Sequence, residues 1–324
     1  MSKALKFFFL INPISGGGQG KKIFEVLPEI MQSMGFSENE WLAEFTQKES
    51  ISEQISKAIF KTETLIAVGG DGTVSAVFSN MMHHPEKEQV RIGLIPLGTG
   101  NDLARVLGLY KPYVEKGLLY LLRRLLMASS RSFDIWQVNG KMALANYFSA
   151  GIDARIAHDF NKDRSEGKIR SNSVISNKFH YVKRFFADRN YFLKSGKLLC
   201  HQQNGEIKQV NLANFRTIII GNIPSFASGT NPFYCSNMAD GILEVVCAPN
   251  LLAFLGAIAI GNIPVVGHIY KKYFLRSYKV TSLELEVLPG EYLQLDGEDL
   301  TETISKKIQI QYGFQVQMLA LGES

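Results

Sequence analysis

The chain has 324 residues, of which 46% are hydrophobic and 20% charged, and carries a formal net charge of +5. These values suit a globular protein of about two domains, and the mild positive charge permits a nucleotide or an anionic membrane surface as partner without requiring either. Cys200, Cys235 and Cys247 are widely spaced with no CxxC pair, which excludes a disulfide framework and a cysteine zinc site and points to a reducing compartment.

Lys3 and Lys6 precede a strand-length apolar run, Phe7 to Ile11, with no small-residue cleavage site after it, so no signal peptide is expected. Lys6 to Ile11 reads as the first strand. Ile23, Leu27, Ile30, Met31 and Met34 then recur at helical spacing, closed by Gly35 as a C-cap. Trp41 to Phe45 alternates as a second strand. Ser50 and Glu53 form an expected capping box ahead of the helical positions Ile51, Ile55, Ala58 and Ile59. A buried strand ends at Val68, Val74 to Met81 gives a helix face, Arg91 to Ile95 a further strand, and Asp102 to Leu107 a further helix. Repeated alternation of strand and helix predicts an open parallel α/β sheet.

Near Arg131 the pattern changes. Asn139-Gly140, Asn204-Gly205 and Pro289-Gly290 punctuate short strands, which predicts an antiparallel sheet or sandwich. Asp153 to Asn190 interrupts it. From Asp159 to Arg189 that stretch has eight Lys or Arg and four Asp or Glu, and reads as a solvated helical insertion. Leu251 to Gly267 is apolar but shorter than the roughly 20 residues of a membrane span. It reads as a buried helical excursion from the sandwich. The alternative is an apolar surface beside His268, Lys271, Lys272 and Arg276, suited to an anionic bilayer.

Three loops carry the chemistry. Asn12-Pro13-Ile14-Ser15-Gly16-Gly17-Gly18 follows the first strand, Gly69-Gly70-Asp71-Gly72-Thr73 the third, and Gly98-Thr99-Gly100-Asn101-Asp102 the fourth. In an open α/β sheet, ligands bind beyond the carboxyl ends of the strands, so the three share one rim. Each opens a helix whose free amides favour phosphate. Ser15, Thr73 and Thr99 can donate hydroxyls to phosphate oxygens. Asp71 and Asp102 would repel phosphate, and their natural use is to hold Mg²⁺ that bridges to it. There is no G-x-x-x-x-G-K-[ST] and no G-x-G-x-x-G after the first strand, which removes the Walker P-loop and the dinucleotide fingerprint. His83 and His84 are adjacent and share no helix face, so they read as a loop or helix end.

These residues resemble the diacylglycerol kinase catalytic-domain family. The likeness lies in Asn12-Pro13 with Ser15-Gly16, in Gly69 to Thr73, and most specifically in Ile95-Pro96-Leu97-Gly98-Thr99-Gly100-Asn101-Asp102-Leu103-Ala104-Arg105. It continues through Asn146 to Ala154, Ile156-Ala157-His158, Asn222-Ile223-Pro224-Ser225 and Leu295-Asp296-Gly297-Glu298, covering most of the chain. The chain has no cysteine-rich C1-like region, as in bacterial soluble lipid kinases.

The resemblance implies a phosphofructokinase-like, Rossmann-type three-layer α/β domain, 1–130 with about 306–324 returning, and an antiparallel β-sandwich, 131–305. It implies ATP and Mg²⁺ as cofactors, with the active site in a cleft between the two domains. Glu298 becomes the general base, and Asp71, Asp102 and Asp134 the Mg²⁺ network. Asn12, Thr46, Thr73 and Thr99 become ATP contacts, with Pro13, Ser15, Gly16, Gly69, Gly70, Gly72 and Gly98 shaping the loops around it. Asn237-Met238-Ala239-Asp240-Gly241-Ile242 resembles the bacterial structural Mg²⁺ site, with Asn237, Asp240 and Ile242 as its expected ligands. The implied acceptor is diacylglycerol presented at a membrane surface. Sphingosine, ceramide or phosphatidylglycerol, and a catalytically silent binding module, remain as alternatives. No nucleic acid partner is expected, a homodimer stays open, and the expected location is the cytoplasm, peripheral at the membrane.

Overall fold

The computed structural model describes residues 3–165, 190–302 and 307–322, and divides the chain into two compact units, 1–135 with 313–324 and 136–312. Most of the charged insertion expected between Asp153 and Asn190 lies outside the described residues.

The first unit alternates as its periodicity predicts: β1 (Leu5–Ile11), α1 (Ser15–Ser33), β2 (Trp41–Phe45), α2 (Ile51–Lys61), β3 (Thr62–Gly69), α3 (Asp71–Met81), β4 (Arg91–Pro96), α4 (Asp102–Val106) and α5 (Tyr110–Leu125). The strands pair in parallel in the order β2-β1-β3-β4, with Phe7 opposite Trp41 and Thr64, and Ile66 opposite Gly93. Phe8 to Ile11, Leu65, Ile66, Val68, Ile92 and Ile95 are fully buried. Burial of that kind stabilises by about 1.5–3 kcal/mol per large side chain. It also explains why these strands read as continuous apolar runs, since a parallel sheet is covered on both faces.

One local expectation fails here. Ser50 sits before α2, but its hydroxyl donates to Gln47 Oε1 at 2.9 Å and caps no amide, so the capping box does not form. Regular helix in α1 begins only after Gly18, because Gly16, Gly17 and Gly18 hold φ of 62°, 66° and 94°. Helix α5 had no counterpart among the expected elements. Its non-helical Gly117, at φ 80°, breaks the period that would have marked it.

β5 (Ser129–Val138) leads into the second unit, where β6 (Met142–Leu144), β7 (Tyr147–Gly151), α6 (Ile152–Ser165), β8 (Lys197–His201), β9 (Ile207–Asn211), β10 (Thr217–Gly221) and β11 (Leu243–Ala248) follow. Then come α7 (Leu251–Ile260), α8 (Val266–Phe274), β12 (Arg276–Val280), β13 (Ser282–Glu286), β14 (Leu293–Leu295), β15 (Glu298–Asp299) and β16 (Lys307–Ala320). One antiparallel sheet runs β12-β11-β10-β7-β14-β15, and β16, β13, β8 and β9 pair antiparallel in another. A single core joins their inner faces, with Phe148, Ile218 and Val245 from the first and Leu198, Leu283 and Ile308 from the second.

Asn139-Gly140, with φ of 53° and 64°, makes the β5–β6 hairpin, and Asn204-Gly205 the β8–β9 hairpin. Pro289-Gly290 makes no hairpin. It carries the chain from β13 in one sheet to β14 in the other. The Leu251 to Gly267 stretch is a helical hairpin only half buried: Ala253, Phe254 and Ala257 pack into the unit while Leu252, Ile263 and Val265 face out.

β16 serves both units. Lys307–Gln311 pairs with β13 in the second, and Gln317 and Met318 pair in parallel with β4 in the first.

Candidate active site

Within the first unit the three glycine-bearing loops touch. Asn12 follows β1, and its Nδ2 donates to Thr73 Oγ1 at 3.0 Å, tying the first loop to the start of α3. Leu97 N donates to Gly69 O at 2.8 Å, tying the second loop to the third. A Cβ on Gly98 would stand 2.7 Å from Gly70 Cα, so these two loops meet backbone to backbone and only glycine allows it.

Asn101 locks the third loop. It is buried, with a left-handed φ of 53° that asparagine tolerates better than most residues. Its Oδ1 accepts from Gly98 N at 2.9 Å, its Nδ2 donates to Gly98 O at 2.6 Å, and its own N–H donates to Asp71 Oδ2 at 2.7 Å. The Asp71 carboxylate is thereby aimed at the third loop, which ends in the buried Asp102. A Cβ on Gly100 would lie 2.9 Å from Asp71 Oδ2 and 3.6 Å from Asp102 Oδ2. Two hard carboxylate oxygens thus flank one point of bare backbone, beside the first turns of α3 and α4. Arg105 fastens that backbone from behind: its Nε donates to Gly100 O at 3.0 Å and its guanidinium stacks 3.7 Å over Tyr110.

Thr46 follows β2, where its amide donates to Ile11 O at 2.8 Å, next to the strand end that leads into Asn12. Ser15 opens α1 after Pro13, directly before the left-handed Gly16, and Thr99 is exposed on the third loop. Asp134 is buried on β5, and Gln315 Nε2 of β16 donates to it at 2.9 Å.

Glu298 belongs to the second unit. It opens β15 opposite Leu295 of β14, exposed, after a two-residue turn of Asp296 and Gly297 at φ of 50° and 90°. Both central residues at positive φ give the turn that suits a right-twisted hairpin. Asp296 does more than turn the chain. Its buried carboxyl accepts from Ala145 N at 3.1 Å, Asn146 N at 2.9 Å and Tyr147 N at 2.9 Å, while its own N–H donates to Tyr147 O at 2.9 Å. The strand that presents Glu298 is therefore pinned at its root.

It is also pinned one residue on. His158 Nδ1 of α6 and Asp299 Oδ2 lie 2.6 Å apart, and Thr301 donates to Asp299 through its N–H at 3.1 Å and its hydroxyl at 2.6 Å. Burial disfavours the Asp299 carboxylate, but the Thr301 and His158 hydrogen bonds outweigh it and hold the carboxyl below its ordinary range. Behind this turn, Gln294 Nε2 donates to Asp153 Oδ2 and, at 2.8 Å, to Ser149 Oγ, all three side chains buried.

In the Asn237–Ile242 loop, Asn237 Oδ1 accepts from Ala239 N at 3.2 Å and Asp240 Oδ1 from Ile242 N at 3.1 Å. Both are local turns of the kind Asn and Asp make with the backbone two residues on. Asn101, Asp296 and Gln315 are the residues whose roles the sequence did not announce. Only the turn dipeptide Asp-Gly and the left-handed tolerance of Asn hinted at the first two.

Residues 6–138 match the model of the diacylglycerol kinase catalytic domain, and residues 143–299 that of the diacylglycerol kinase accessory domain. The chain belongs to the diacylglycerol kinase family. Among curated relatives, the eye-specific diacylglycerol kinase of Drosophila melanogaster is 31% identical over 272 residues, 73% of this chain and 18% of that protein. Human diacylglycerol kinase iota is 25% identical over 318 residues, 86% of this chain and 29% of that protein. The chain thus spans less than a third of either relative. A diacylglycerol kinase crystal structure from Bacillus anthracis str. Sterne superposes with a TM-score of 0.69, covering 99% of both chains at 16% identity. At that identity the likeness speaks for the fold. The diacylglycerol kinase catalytic match contains all three touching loops, and the accessory match ends one residue beyond Glu298.

Proposed function

We propose that this chain is an ATP-dependent lipid kinase that transfers a phosphoryl group to the free hydroxyl of diacylglycerol, giving phosphatidic acid. The observation that carries the reading is the meeting of Asp71 and Asp102 over Gly100, inside a loop cluster built to approach a polyanion.

The donor set fits Mg²⁺, a hard cation that takes carboxylate oxygens in its first shell and keeps several waters. Asp71 and Asp102 would hold it, with Asp134 in support. Bound there, the ion would neutralise charge on the phosphates. The chain's own groups do the rest. Amides at the starts of α3 and α4 face the phosphates. Thr73, Thr99 and Ser15 supply hydroxyls, and Asn12 fixes Thr73 in place. Glu298 accepts the proton of the acceptor hydroxyl as general base, held in register by Asp296 below it and Asp299 beside it. A further Mg²⁺ in the Asn237–Ile242 loop rests on the family likeness of that loop.

The first unit is best classed with phosphofructokinase-like Rossmann-type domains, on its parallel order and its strand-end loops. Among the described residues no helix is long and apolar enough to cross a membrane. Action on a bilayer lipid from the cytoplasmic side, as a peripheral protein, is part of the same proposal.

The test uses purified protein, Mg²⁺, ATP labelled at the γ-phosphate and mixed micelles carrying one lipid each. Label should enter diacylglycerol. Label in sphingosine alone would overturn the acceptor, and ATP binding without transfer to any lipid would point to a silent module. Glu298→Gln should keep ATP affinity and lower kcat by about 100-fold or more, within the range for a lost general base. Near-normal turnover would remove Glu298 from that role.

A further inference from the structure

The α7–α8 hairpin shows an apolar surface that the unit does not cover. Its buried side is well explained. Ala253, Phe254 and Ala257 of α7 enter a cluster with Phe226, Phe233 and Leu275. From α8, Lys271 reaches inward, where its Nζ donates to Asn231 O at 3.3 Å and to Phe233 O. A Cβ on Gly267 would stand 2.5 Å from the carbonyls of Ile260 and Gly261, so the two helices close tightly on each other.

The outer side is the opposite. Val266, Ile269 and Tyr273 fall at i, i+3 and i+7 on one face of α8 and are 51%, 51% and 72% exposed. Leu252, Ile263, Val265 and Phe274 extend the patch, and Phe274 stacks on Tyr270 with ring centroids 4.5 Å apart. At the tip, Val266 N donates to Pro264 O at 2.7 Å across Val265, whose φ and ψ are 64° and −58°. This is the rare, strained form of the γ-turn, and it projects a β-branched side chain, 70% exposed, away from the protein.

Charge decides what fits this face. Residues 245–283 contain no Asp or Glu, and four cations, Lys271, Lys272, Arg276 and Lys279. Lys272 and Arg276 are exposed beside the apolar face. A second copy would set these cations against their own kind in a two-fold contact, whereas an anionic bilayer offers acyl chains and negative headgroups together. Part of the tip's backbone is satisfied without water. The amides of Ile263, Gly267 and Ile269 donate to Ile260 O, Ile263 O and Val265 O at 2.9, 2.8 and 2.9 Å, and Pro264 has no amide to satisfy. Unpaired amides are the main cost of placing a turn among lipids, and these bonds, with that of Val266, remove part of it.

We infer that the α7–α8 hairpin is a bilayer-docking surface, its apolar tip and α8 face lying among acyl chains and Lys272 and Arg276 against anionic headgroups. The inference deepens the lipid-kinase reading, because diacylglycerol resides in a bilayer, but its evidence is separate.

The test is co-sedimentation of the full chain with phosphatidylcholine vesicles, with and without phosphatidylglycerol. The doubly substituted Ile269→Glu, Tyr273→Glu protein should partition about tenfold or more weakly, a difference of about 1.4 kcal/mol. Met127→Glu, at an exposed apolar residue of the first unit, should bind as the parent does. Lys272→Glu with Arg276→Glu should weaken binding to the anionic vesicles only. Phosphotransfer to a short-chain, water-soluble diacylglycerol should survive all these changes. Unchanged partitioning of the Ile269→Glu, Tyr273→Glu protein would overturn the inference, as would a parent that binds neither vesicle. A dimer that dissociates on the same substitutions, with vesicle binding intact, would assign the face to a second copy instead. Vesicle binding that follows the expected pattern without phosphotransfer to any lipid would leave this inference standing and remove the kinase reading.

Discussion

Asn101 shows how one residue can hold a site without carrying its chemistry. It closes the Gly98 loop on itself and orients Asp71, and its backbone is left-handed. Asn101→Ala should lose both side-chain bonds and strain the backbone by about 1–2 kcal/mol. Asn101→Gly should lose only the bonds. If Asp71 is aimed by this residue, both variants should weaken Mg²⁺-dependent ATP binding measured by calorimetry, the alanine more, while the melting temperature falls by only a few degrees. Equal ATP affinity in all three proteins would detach Asn101 from the site. The residues of this cluster were legible in the sequence because glycines and carboxylates at strand ends have few other uses. The locking bonds were not, since Asn101 Nδ2 to Gly98 O depends on the loop's left-handed turn, and Asn101 N to Asp71 Oδ2 on how two separate loops meet in space.

At the scale of the element, β15 is two residues long and cannot hold its own position. The support comes from Asp296, which satisfies three amides of 145–147, and from His158 of α6 on Asp299. Asp299 is held below its ordinary value of 3.8. A carboxyl lowered on folding contributes stability that is present above the unfolded pKa and is lost as pH falls through the folded one. Asp299→Asn should therefore lower stability near neutral pH, and the difference should shrink as pH falls below 3.8 and vanish once it is below the folded carboxyl's lowered pKa, where the parent carboxyl is also protonated. Urea midpoints across that range check it, and a constant offset at every pH would refute it. Strands and helices of the first unit could be read from period alone, because parallel strands are apolar throughout and their helices amphipathic. The second unit yielded its Asn-Gly hairpins, but Pro289-Gly290 reads the same whether the chain turns back or changes sheets. That choice is made by the core that Leu285 and Leu293 both enter.

At the scale of the whole molecule, the first unit is discontinuous in sequence. Phe314, Val316 and Met318 of β16 are buried, and Met318 pairs with Ile92 of β4. Residues 1–138 expressed alone should expose the β4 edge and these vacated contacts, and so aggregate or fold poorly. The same segment joined through a flexible linker to residues 313–322 should give a dispersed amide spectrum. A well-folded 1–138 would show that the returning strand is dispensable. β16 also imposes an order of events on the ribosome. Its first residues pair in the second unit and its last pair in the first. Domains usually complete themselves one after another as they emerge. Here the earliest strands must wait until the whole second unit has been synthesised, with one sheet edge unfilled, so chaperone capture during synthesis and nascent-chain length become parts of this protein's physical chemistry.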